Sequence, residues 1–290
     1  MTSKITKYQF KPGLPIGFEI VQLQEFYKKN KIELTSAHRT GFYHILWFKK
    51  GSLTHFVDFN PVKIKPDSIL FLNKDIVQRF DSKATIDGSG ILFTDDFFCK
   101  SKEDSDFLRS SILFNDLFSV SQIQLQQHSE LFTSLLNLMN SELRNAKDNY
   151  HANILQNLLH NFLLLSERER RKQNFTEAKK GPDLDYVLLF KDLLEATFKT
   201  QKQVSSYAEQ LRITEKRLNL ATSKVLGKSP KEMIDERVML EAKRLLAHTN
   251  ESAKEIGFTL GFEEPTNFIK YFRKHNNATP VEFREQFNKA

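Results

Sequence analysis

Two short runs of polar and basic residues near the carboxyl end have the composition of surfaces that read nucleic acid. Asn can form paired hydrogen bonds with adenine, Lys can reach guanine, and apolar side chains can contact the thymine methyl group. Arg and Lys beside such a surface bind phosphates, which holds the register without reading sequence. The predicted DNA-binding residues are Thr214, Lys216, Arg217, Asn219, Leu220, Ser223, Lys224, Pro265, Thr266, Asn267, Lys270 and Arg273. For any single one of them, an ordinary solvated helix face is the alternative interpretation.

Both runs occupy the same place in a duplicated pattern. Gly227-Lys-Ser-Pro230 closes the first copy, and Asn277-Ala-Thr-Pro280 closes the second copy fifty positions later. Leu218 and Phe268 are separated by the same fifty positions. In each copy the apolar positions recur at spacings of three and four, which predicts a short helix, a tight turn and a second helix. The duplication therefore predicts two helix-turn-helix units, with each basic run on the exposed face of a second helix.

Helix-start signals indicate how the two units are held. Thr214 can cap the second helix of the first copy through its hydroxyl group. In the second copy Glu264 can cap, and Pro265 suits the first helical position. Ser229-Pro-Lys-Glu232 is a capping box that begins a helix running to about His248. Such a helix is about 27 Å long. This length suits two DNA-contacting helices separated by one turn of DNA, about 34 Å.

This segment resembles the DNA-binding domain of the AraC/XylS family of bacterial transcription regulators, over about Asp183 to Gln286. The resemblance is carried by Ala208, Leu211, Leu218, Gly227–Pro230, Arg237, Ala242, Leu245, Leu246, Glu255, Ile256, Gly261, Phe262, Phe268, Phe272, Thr279, Pro280, Phe283 and Arg284. It implies that the exposed residues enter two successive major grooves of promoter DNA, with RNA polymerase as a further partner. Gly257 and Asn277 stand where the family usually has Ala and Gly, and Leu220 stands at a frequently polar position. Asn tolerates the left-handed conformation that Gly serves there.

Residues 1 to about 98 have the pattern of short β-strands. Five segments rich in β-branched and aromatic residues alternate with turns that contain Gly, Pro, Asn or Asp. The segments are 18–23, 42–48, 53–59, 68–72 and 90–93. Close spacing with such turns predicts a sandwich or a small barrel. The residues from His38 to Phe48, with Gly51 and 69–72, resemble the cupin-like sensor domain that precedes this type of DNA-binding domain.

The sensor resemblance implies a pocket for a small-molecule effector. Tyr43, Ile45 and Trp47 share one face of a predicted strand, because successive side chains alternate across a strand. With His38 they form the predicted effector pocket. A packed interior without a ligand is the alternative, and the N-terminal domain would then serve only for assembly.

The same domain contains histidines that could ligate a metal. Metal-binding cupins use several His and a Glu, and His38, His44 and His55 are available here. The three fall on alternate strand faces, and Gln78 stands at the later position that often carries His. We therefore expect no metal, no cofactor and no enzymatic activity. A cupin-type metal-dependent enzyme fused to a DNA-binding domain is the competing hypothesis.

From about Asp104 the hydrophobic period becomes helical. One apolar stripe covers 131–143 and another covers 154–165, and the polar loop 146–149 joins them. This pattern predicts an antiparallel helical hairpin. The family resemblance implies that one face of the hairpin pairs with a second subunit, although packing on the β domain alone is the alternative. The predicted dimer-interface residues are Leu155, Leu158 and Phe162.

Composition bounds these interpretations. The chain has 290 residues and 40% hydrophobic content, enough for two ordinary domains. Its one cysteine, Cys99, allows no internal disulfide. No stretch of eighteen apolar residues occurs, so no membrane span is expected. The first eight residues contain no apolar core of signal-peptide length, so no signal peptide is expected either. The net charge is +7, yet from Asp183 onward 18 Lys and Arg face 16 Asp and Glu, so bulk charge says little about DNA binding.

The sequence as a whole predicts an α+β multidomain protein. The predicted domains are a cupin-like β-barrel sensor (1–103), a helical hairpin for dimerisation (104–170), a linker (171–182) and an all-α domain with two helix-turn-helix motifs (183–290). Asp183 is expected to cap the first helix of the last domain. The predicted function is sequence-specific binding of double-stranded promoter DNA by a cytoplasmic, nucleoid-associated regulator, controlled by a small-molecule effector or by formation of a homodimer.

Overall fold

The computed structural model of the chain describes residues 5–11, 16–82, 85–116, 119–125, 129–145, 148–173 and 181–289. The chain divides into two compact units, Thr6–Thr176 and Glu177–Ala290 with Met1–Ile5. The linker predicted at 171–182 lies mostly outside the described residues, as do two residues of the loop predicted at 146–149. Every helix within the described ranges is too short or too polar to span a lipid bilayer.

The strands of the N-terminal unit form two five-stranded sheets among the described residues. The strands are β1 (Thr6–Tyr8), β2 (Phe18–Gln22), β3 (His38–Thr40), β4 (Tyr43–Lys50), β5 (Leu53–Val57), β6 (Asn60–Ile64), β7 (Ser68–Leu72), β8 (Gln78–Phe80), β9 (Asp87–Phe93) and β10 (Gln122–Gln124). One sheet has the order β1-β3-β8-β5-β6 and the other has the order β10-β7-β4-β9-β2. Only the pairing of β1 with β3 is parallel among the described strand pairs. The β-rich prediction is confirmed, as two packed sheets.

Helices complete the N-terminal unit. They are α1 (Leu23–Lys29), α2 (Lys31–Thr35), α3 (Asp95–Phe98), α4 (Lys102–Ser110), α5 (Ser129–Arg144) and α6 (His151–Lys172). The predicted hairpin is confirmed as α5 and α6. Helices α1 and α2 were not predicted from the sequence. Leu23 was predicted to end a strand, but it is the buried first residue of α1.

Strand β4 lies at the centre of the second sheet, and both of its faces are buried. Leu46 and Phe48 pack with Leu53 and other residues of the first sheet, so this face fills the space between the sheets. On the other face, alternate residues of β4 pack against helices α3 to α6 in a separate core. A strand that is covered on both faces has a nearly continuous apolar sequence instead of an alternating one. The N-terminal unit is therefore built from three layers, sheet on sheet on helices.

The C-terminal unit is entirely helical over its described residues. Its helices are α7 (Pro182–Thr197), α8 (Val204–Gln210), α9 (Glu215–Leu226), α10 (Pro230–His248), α11 (Ala253–Thr259), α12 (Pro265–Asn276) and α13 (Pro280–Lys289). One core contains buried residues from α7 to α12, including the fully buried pair Leu218 and Phe268 that are fifty positions apart, and Phe283 of α13 packs against it. Two helix-turn-helix units, α8–α9 and α11–α12, thus flank the single helix α10, as the duplication predicted.

Most of the predicted end signals are confirmed. The Thr214 side chain accepts a hydrogen bond from the backbone N–H of Arg217, and Ser229 forms a two-way capping box with Glu232. The helices α9 and α12 end on left-handed residues, Gly227 at φ 67° and Asn277 at φ 53°.

Two predicted caps are wrong. Glu264 occupies the N-cap position of α12, but its side chain makes no capping hydrogen bond. The backbone N–H of Asn267, which a capping side chain could bond, instead donates to the backbone oxygen of Glu264 at 3.1 Å. Asp183 lies in the first turn of α7, and Gly181 takes the N-cap position. The carboxylate of Asp183 is bonded elsewhere, to side chains of α9.

Candidate DNA-binding surface

Helices α9 and α12 each have one buried face and one solvent face. Leu218 and Ala221 of α9 and Phe268 and Phe272 of α12 are fully buried. Ten of the twelve predicted DNA-binding residues are exposed, and Arg217 and Pro265 are half-buried. The exposed ones are Thr214, Lys216, Asn219, Leu220, Ser223, Lys224, Thr266, Asn267, Lys270 and Arg273. Each helix therefore presents its predicted residues to solvent on the side opposite its core face.

Close packing positions α12 against α11. A Cβ atom at Gly257 would lie 3.1 Å from the Cβ of Phe268, which is tighter than ordinary van der Waals contact. Gly261, at φ 78°, forms the turn, and a Cβ atom there would overlap the carbonyl oxygen of Lys199. The first copy makes the equivalent turn with Arg212 at φ 55°. Gly257 thus allows α12 to pack closely on α11, and Gly261 allows the turn to approach the backbone of Lys199.

A polar cluster that the sequence did not reveal joins α12 to α10. The hydroxyl of Tyr271 donates a hydrogen bond of 2.7 Å to the carboxylate of Asp235, and Lys231 lies 2.6 Å from the same oxygen. His275 Nε2 lies 3.7 Å from the other oxygen of that carboxylate. Burial, reinforced by the bonded carboxylate, raises the pKa of Tyr271 far above its usual value. The cluster fixes the rotation of α12 about its own axis, which decides which side chains face outward.

The cations of α9 are partly neutralised within the protein. Asp183 lies 2.6 Å from Arg217 Nη2 and 2.6 Å from Lys224 Nζ. The Arg217 guanidinium also lies 4.8 Å from the ring centre of Tyr186. Hydrogen bonds from Lys224 and then Arg217 lower the pKa of Asp183. No local sequence signal predicts this contact, because Asp183 and Lys224 are 41 residues apart.

The cations of α12 have a different environment. Lys270, Arg273 and Lys274 are exposed. Among the described residues, none of the three lies within 4.0 Å of a carboxylate oxygen. The apolar side chain of Ile269 is also exposed on this helix, and the sequence reasoning did not single it out. The second helix therefore offers its positive charge directly to solvent.

In the N-terminal unit, the four predicted effector-pocket residues do not come together. Tyr43, Ile45 and Trp47 lie in the core between the second sheet and the helices. The Tyr43 ring contacts Phe114 at 4.9 Å between centroids, and the Trp47 ring lies 6.4 Å from Phe132. His38 belongs to the first sheet and is buried apart from them. The alternation of β4 sends its odd-numbered residues towards the helices, away from His38.

The three histidines are instead close together, which strand alternation alone did not predict. His38, His44 and His55 are all buried. His55 Nε2 lies 3.0 Å from the amide oxygen of Gln78, and His55 Nδ1 has no hydrogen-bond partner among the described residues. Burial lowers the pKa of His44 to about 3, with further lowering by His38 and His55. Burial likewise lowers the pKa of His55 to about 3.

These histidines are arranged as neutral hydrogen-bonding groups. In the part of the chain that the structure describes, no group of three or more His, Cys, Asp or Glu side chains could hold a metal ion. A neutral imidazole that is buried without a charged partner stays deprotonated over the physiological pH range. The cluster therefore lines the interior between the sheets with polar atoms that carry no charge.

The predicted dimer-interface residues are largely internal. Leu155 and Phe162 are fully buried in the core of their own unit, and Leu158 packs against that core. The Phe162 ring contacts Phe132 of α5 at 5.1 Å between centroids. The prediction is wrong for Leu155 and Phe162, because this face of α6 is the one that covers the sheet. The large exposed apolar side chains of the hairpin are Leu131, Leu138, Tyr150, Ile154 and Leu164.

Comparison with known proteins agrees with the two-unit architecture. Residues 207–286 match a family model described as a helix-turn-helix domain, and residues 32–168 match one described as an AraC-like ligand binding domain. The lactose operon transcription activator of Staphylococcus xylosus is 31% identical over 97 residues, which cover 33% of this chain and 35% of that protein. The chain thus spans about a third of the length of that relative.

Two further proteins match over most of their length. The HTH-type transcriptional activator RhaS of Enterobacter sp. is 20% identical over 259 residues, which cover 86% of this chain and 87% of RhaS. The crystal structure of ToxT from Vibrio cholerae O395 is 16% identical, covers 100% of this chain and 97% of ToxT, and superposes with a TM-score of 0.43. With a ligand binding domain of the AraC type followed by two helix-turn-helix units, the chain belongs to the AraC family of transcription regulators.

Proposed function

We propose that this protein regulates transcription by binding promoter DNA at two successive major-groove segments. The observation that carries the proposal is the repetition of one arrangement on α9 and α12, a fully buried apolar face opposite an exposed polar one. The helix between them, α10, has 19 residues and is about 28 Å long. That length suits two reading helices about one turn of DNA apart. Such a regulator works in the bacterial cytoplasm, on the nucleoid and beside RNA polymerase.

The proposed contacts follow from side-chain chemistry. Asn219 and Asn267 can each bond an adenine edge, Lys216 and Lys270 can reach guanine, and Leu220 can contact a thymine methyl group. The hydroxyl groups of Ser223 and Thr266 can bond either bases or phosphates. Phosphate contacts are assigned to Thr214, Arg273 and the backbone N–H groups that follow Pro265. Arg217 and Lys224 lie on the same edge of α9 and are paired with Asp183. The base contacts supply specificity, and the phosphate contacts hold the register.

Single substitutions on the two reading helices test the proposal. We expect Asn219→Ala and Lys270→Ala each to weaken binding by about 1–3 kcal/mol, because each removes hydrogen bonds to a base. Affinity is measured by fluorescence anisotropy on a duplex that the wild-type protein selects from a random pool. Lys254→Ala is the control for lost charge, since Lys254 is exposed on α11, outside both reading helices. If Asn219→Ala and Lys270→Ala both bind as tightly as Lys254→Ala, these residues do not contact bases.

We further propose that a small-molecule effector binds in the N-terminal unit, at the polar interior around His38. The region around Tyr43, Ile45 and Trp47 is filled by aromatic rings, whereas His55 Nδ1 offers an unused hydrogen-bonding atom near His38. A metabolite screen that follows the unfolding midpoint through Trp47 fluorescence tests this. We expect one ligand class to raise the midpoint in the wild type and in Leu220→Ala, and not in His38→Ala. A midpoint that no class raises would favour a domain used only for assembly.

A further inference from the structure

An acidic side chain of α7 is bound to two cations of the first reading helix, α9. Asp183 accepts from Arg217 and from Lys224 at 2.6 Å each, and its own side chain is only 17% exposed. Arg217 is additionally held over the ring of Tyr186. Arg217 and Lys224 are about two turns apart on α9, so one carboxylate spans the edge of the helix that would meet the DNA backbone.

The second reading helix has no counterpart to this arrangement. Helix α12 contains Lys270, Arg273 and Lys274 and no Asp or Glu. Among the described residues, no carboxylate oxygen lies within 4.0 Å of these cations, although Glu282 is near enough to interact with the charge of Arg273. Helices α9 and α12 occupy equivalent places in the duplicated fold, yet their charges differ in availability. A DNA phosphate that approaches α12 meets cations without an ion-pair partner among the described residues, whereas one that approaches Arg217 or Lys224 must compete with Asp183.

We propose that Asp183 masks Arg217 and Lys224 from DNA phosphates, so that the salt-dependent part of DNA affinity comes mainly from the second helix-turn-helix. This inference rests on the proposed DNA-binding function. A protein releases counterions from DNA in proportion to the phosphates it neutralises, so each engaged cation steepens the fall of log affinity with log salt by about 0.9. A cation that keeps its carboxylate partner contributes much less to that slope. The first helix would then depend on base contacts for its share of binding.

Removing the carboxylate charge tests the masking directly. Asp183→Asn and Asp185→Asn change the net charge of the protein equally and lie in the same turn of α7. Asp185 is exposed and forms no ion pair among the described residues. We measure affinity for the selected duplex from about 50 mM to about 200 mM salt. Asp183→Asn should bind more tightly at low salt, with a slope steeper by about 0.9 for each freed cation. Asp185→Asn should keep the wild-type slope.

A pair of lysine substitutions, made with and without Asp183→Asn, tests the same inference from the side of the cations. Circular dichroism confirms that each variant is folded. In the wild-type background Lys270→Gln should flatten the salt slope by about 0.9, and Lys224→Gln should change it little. In the Asp183→Asn background Lys224→Gln should flatten it by about 0.9. The masking would be overturned, with DNA binding intact, if Asp183→Asn and Asp185→Asn gave equal salt slopes. It would also be overturned if Lys224→Gln and Lys270→Gln flattened the slope equally in the wild-type background. A wild-type protein that selects no duplex at about 50 mM salt would overturn both proposals.

Discussion

Acid should destabilise the N-terminal unit through its buried histidines. The pKa values of His44 and His55 are lowered to about 3 in the folded protein, from 6.5 for an ordinary histidine. The unfolded chain therefore binds protons more readily than the folded one below pH 6.5. A group whose folded pKa is depressed contributes its full stability above the unfolded pKa and loses it as pH falls towards the folded value. The sensitive window is thus about pH 6.5 to about pH 3.

The size of the effect follows from the two pKa shifts. Each pH unit below the unfolded pKa costs about 1.4 kcal/mol for each histidine that must remain neutral. Between pH 7 and pH 5 the cost is about 2 kcal/mol for each histidine and about 4 kcal/mol for His44 and His55 together. His38 acts in the same direction, since burial lowers its pKa as well. A typical domain has a stability of about 5–15 kcal/mol, so this loss is a large part of the total.

The single tryptophan provides the assay. Trp47 is buried in the N-terminal unit, on the same strand as His44, so its fluorescence during urea unfolding follows that unit. We expect His44→Gln and His55→Gln each to reduce the loss between pH 7 and pH 5 by about 2 kcal/mol. His275→Gln, in the C-terminal unit, is the control and should keep the wild-type loss. If the wild-type free energy of unfolding is the same at pH 5 and pH 7, the buried histidines are not neutral groups in the folded state.

Two further predictions concern packing and assembly. In thermal unfolding, Gly261→Ala should destabilise the C-terminal unit by about 1–3 kcal/mol more than Gly227→Ala. Both glycines have positive φ, but a Cβ atom overlaps the backbone of Lys199 only at Gly261. Equal losses would mean that the overlap relaxes freely. On the hairpin, the exposed Leu138 should contribute to a homodimer, so Leu138→Glu should sediment as a monomer while the neighbouring exposed Asn137→Glu stays dimeric. A dimer of unchanged affinity in Leu138→Glu would place the interface elsewhere.

Features that depend on neighbouring residues could be predicted from the sequence. The cap at Thr214, the capping box at Ser229 and the left-handed end at Asn277 each involve residues within a few positions of one another. The repetition of Leu218 as Phe268 identified equivalent helices, because a duplicated fold repeats its buried positions. The exposed faces of α9 and α12 could therefore be predicted as those left over once the buried positions were assigned.

Features that depend on distant segments could not be predicted. Helix α6 is apolar on more than one face, so its periodicity could not show that Leu155 and Phe162 cover the sheet while Ile154 is exposed. The histidines lie on different strands, and alternation within one strand does not show which sides of different strands face each other. Asp183 reads as a helix cap because it follows Gly181-Pro182, and only the packing of α7 against α9 reveals its ion pairs.

Hydroxyl-radical footprinting of the selected duplex tests the central claim most directly. Helices α9 and α12, joined through α10, should protect two DNA segments centred about 10 base pairs apart on one side of the duplex. Asn219→Ala should weaken one segment, and Lys270→Ala should weaken the other. A single protected segment, or two segments that fade together in both variants, would contradict the account of two separate readers.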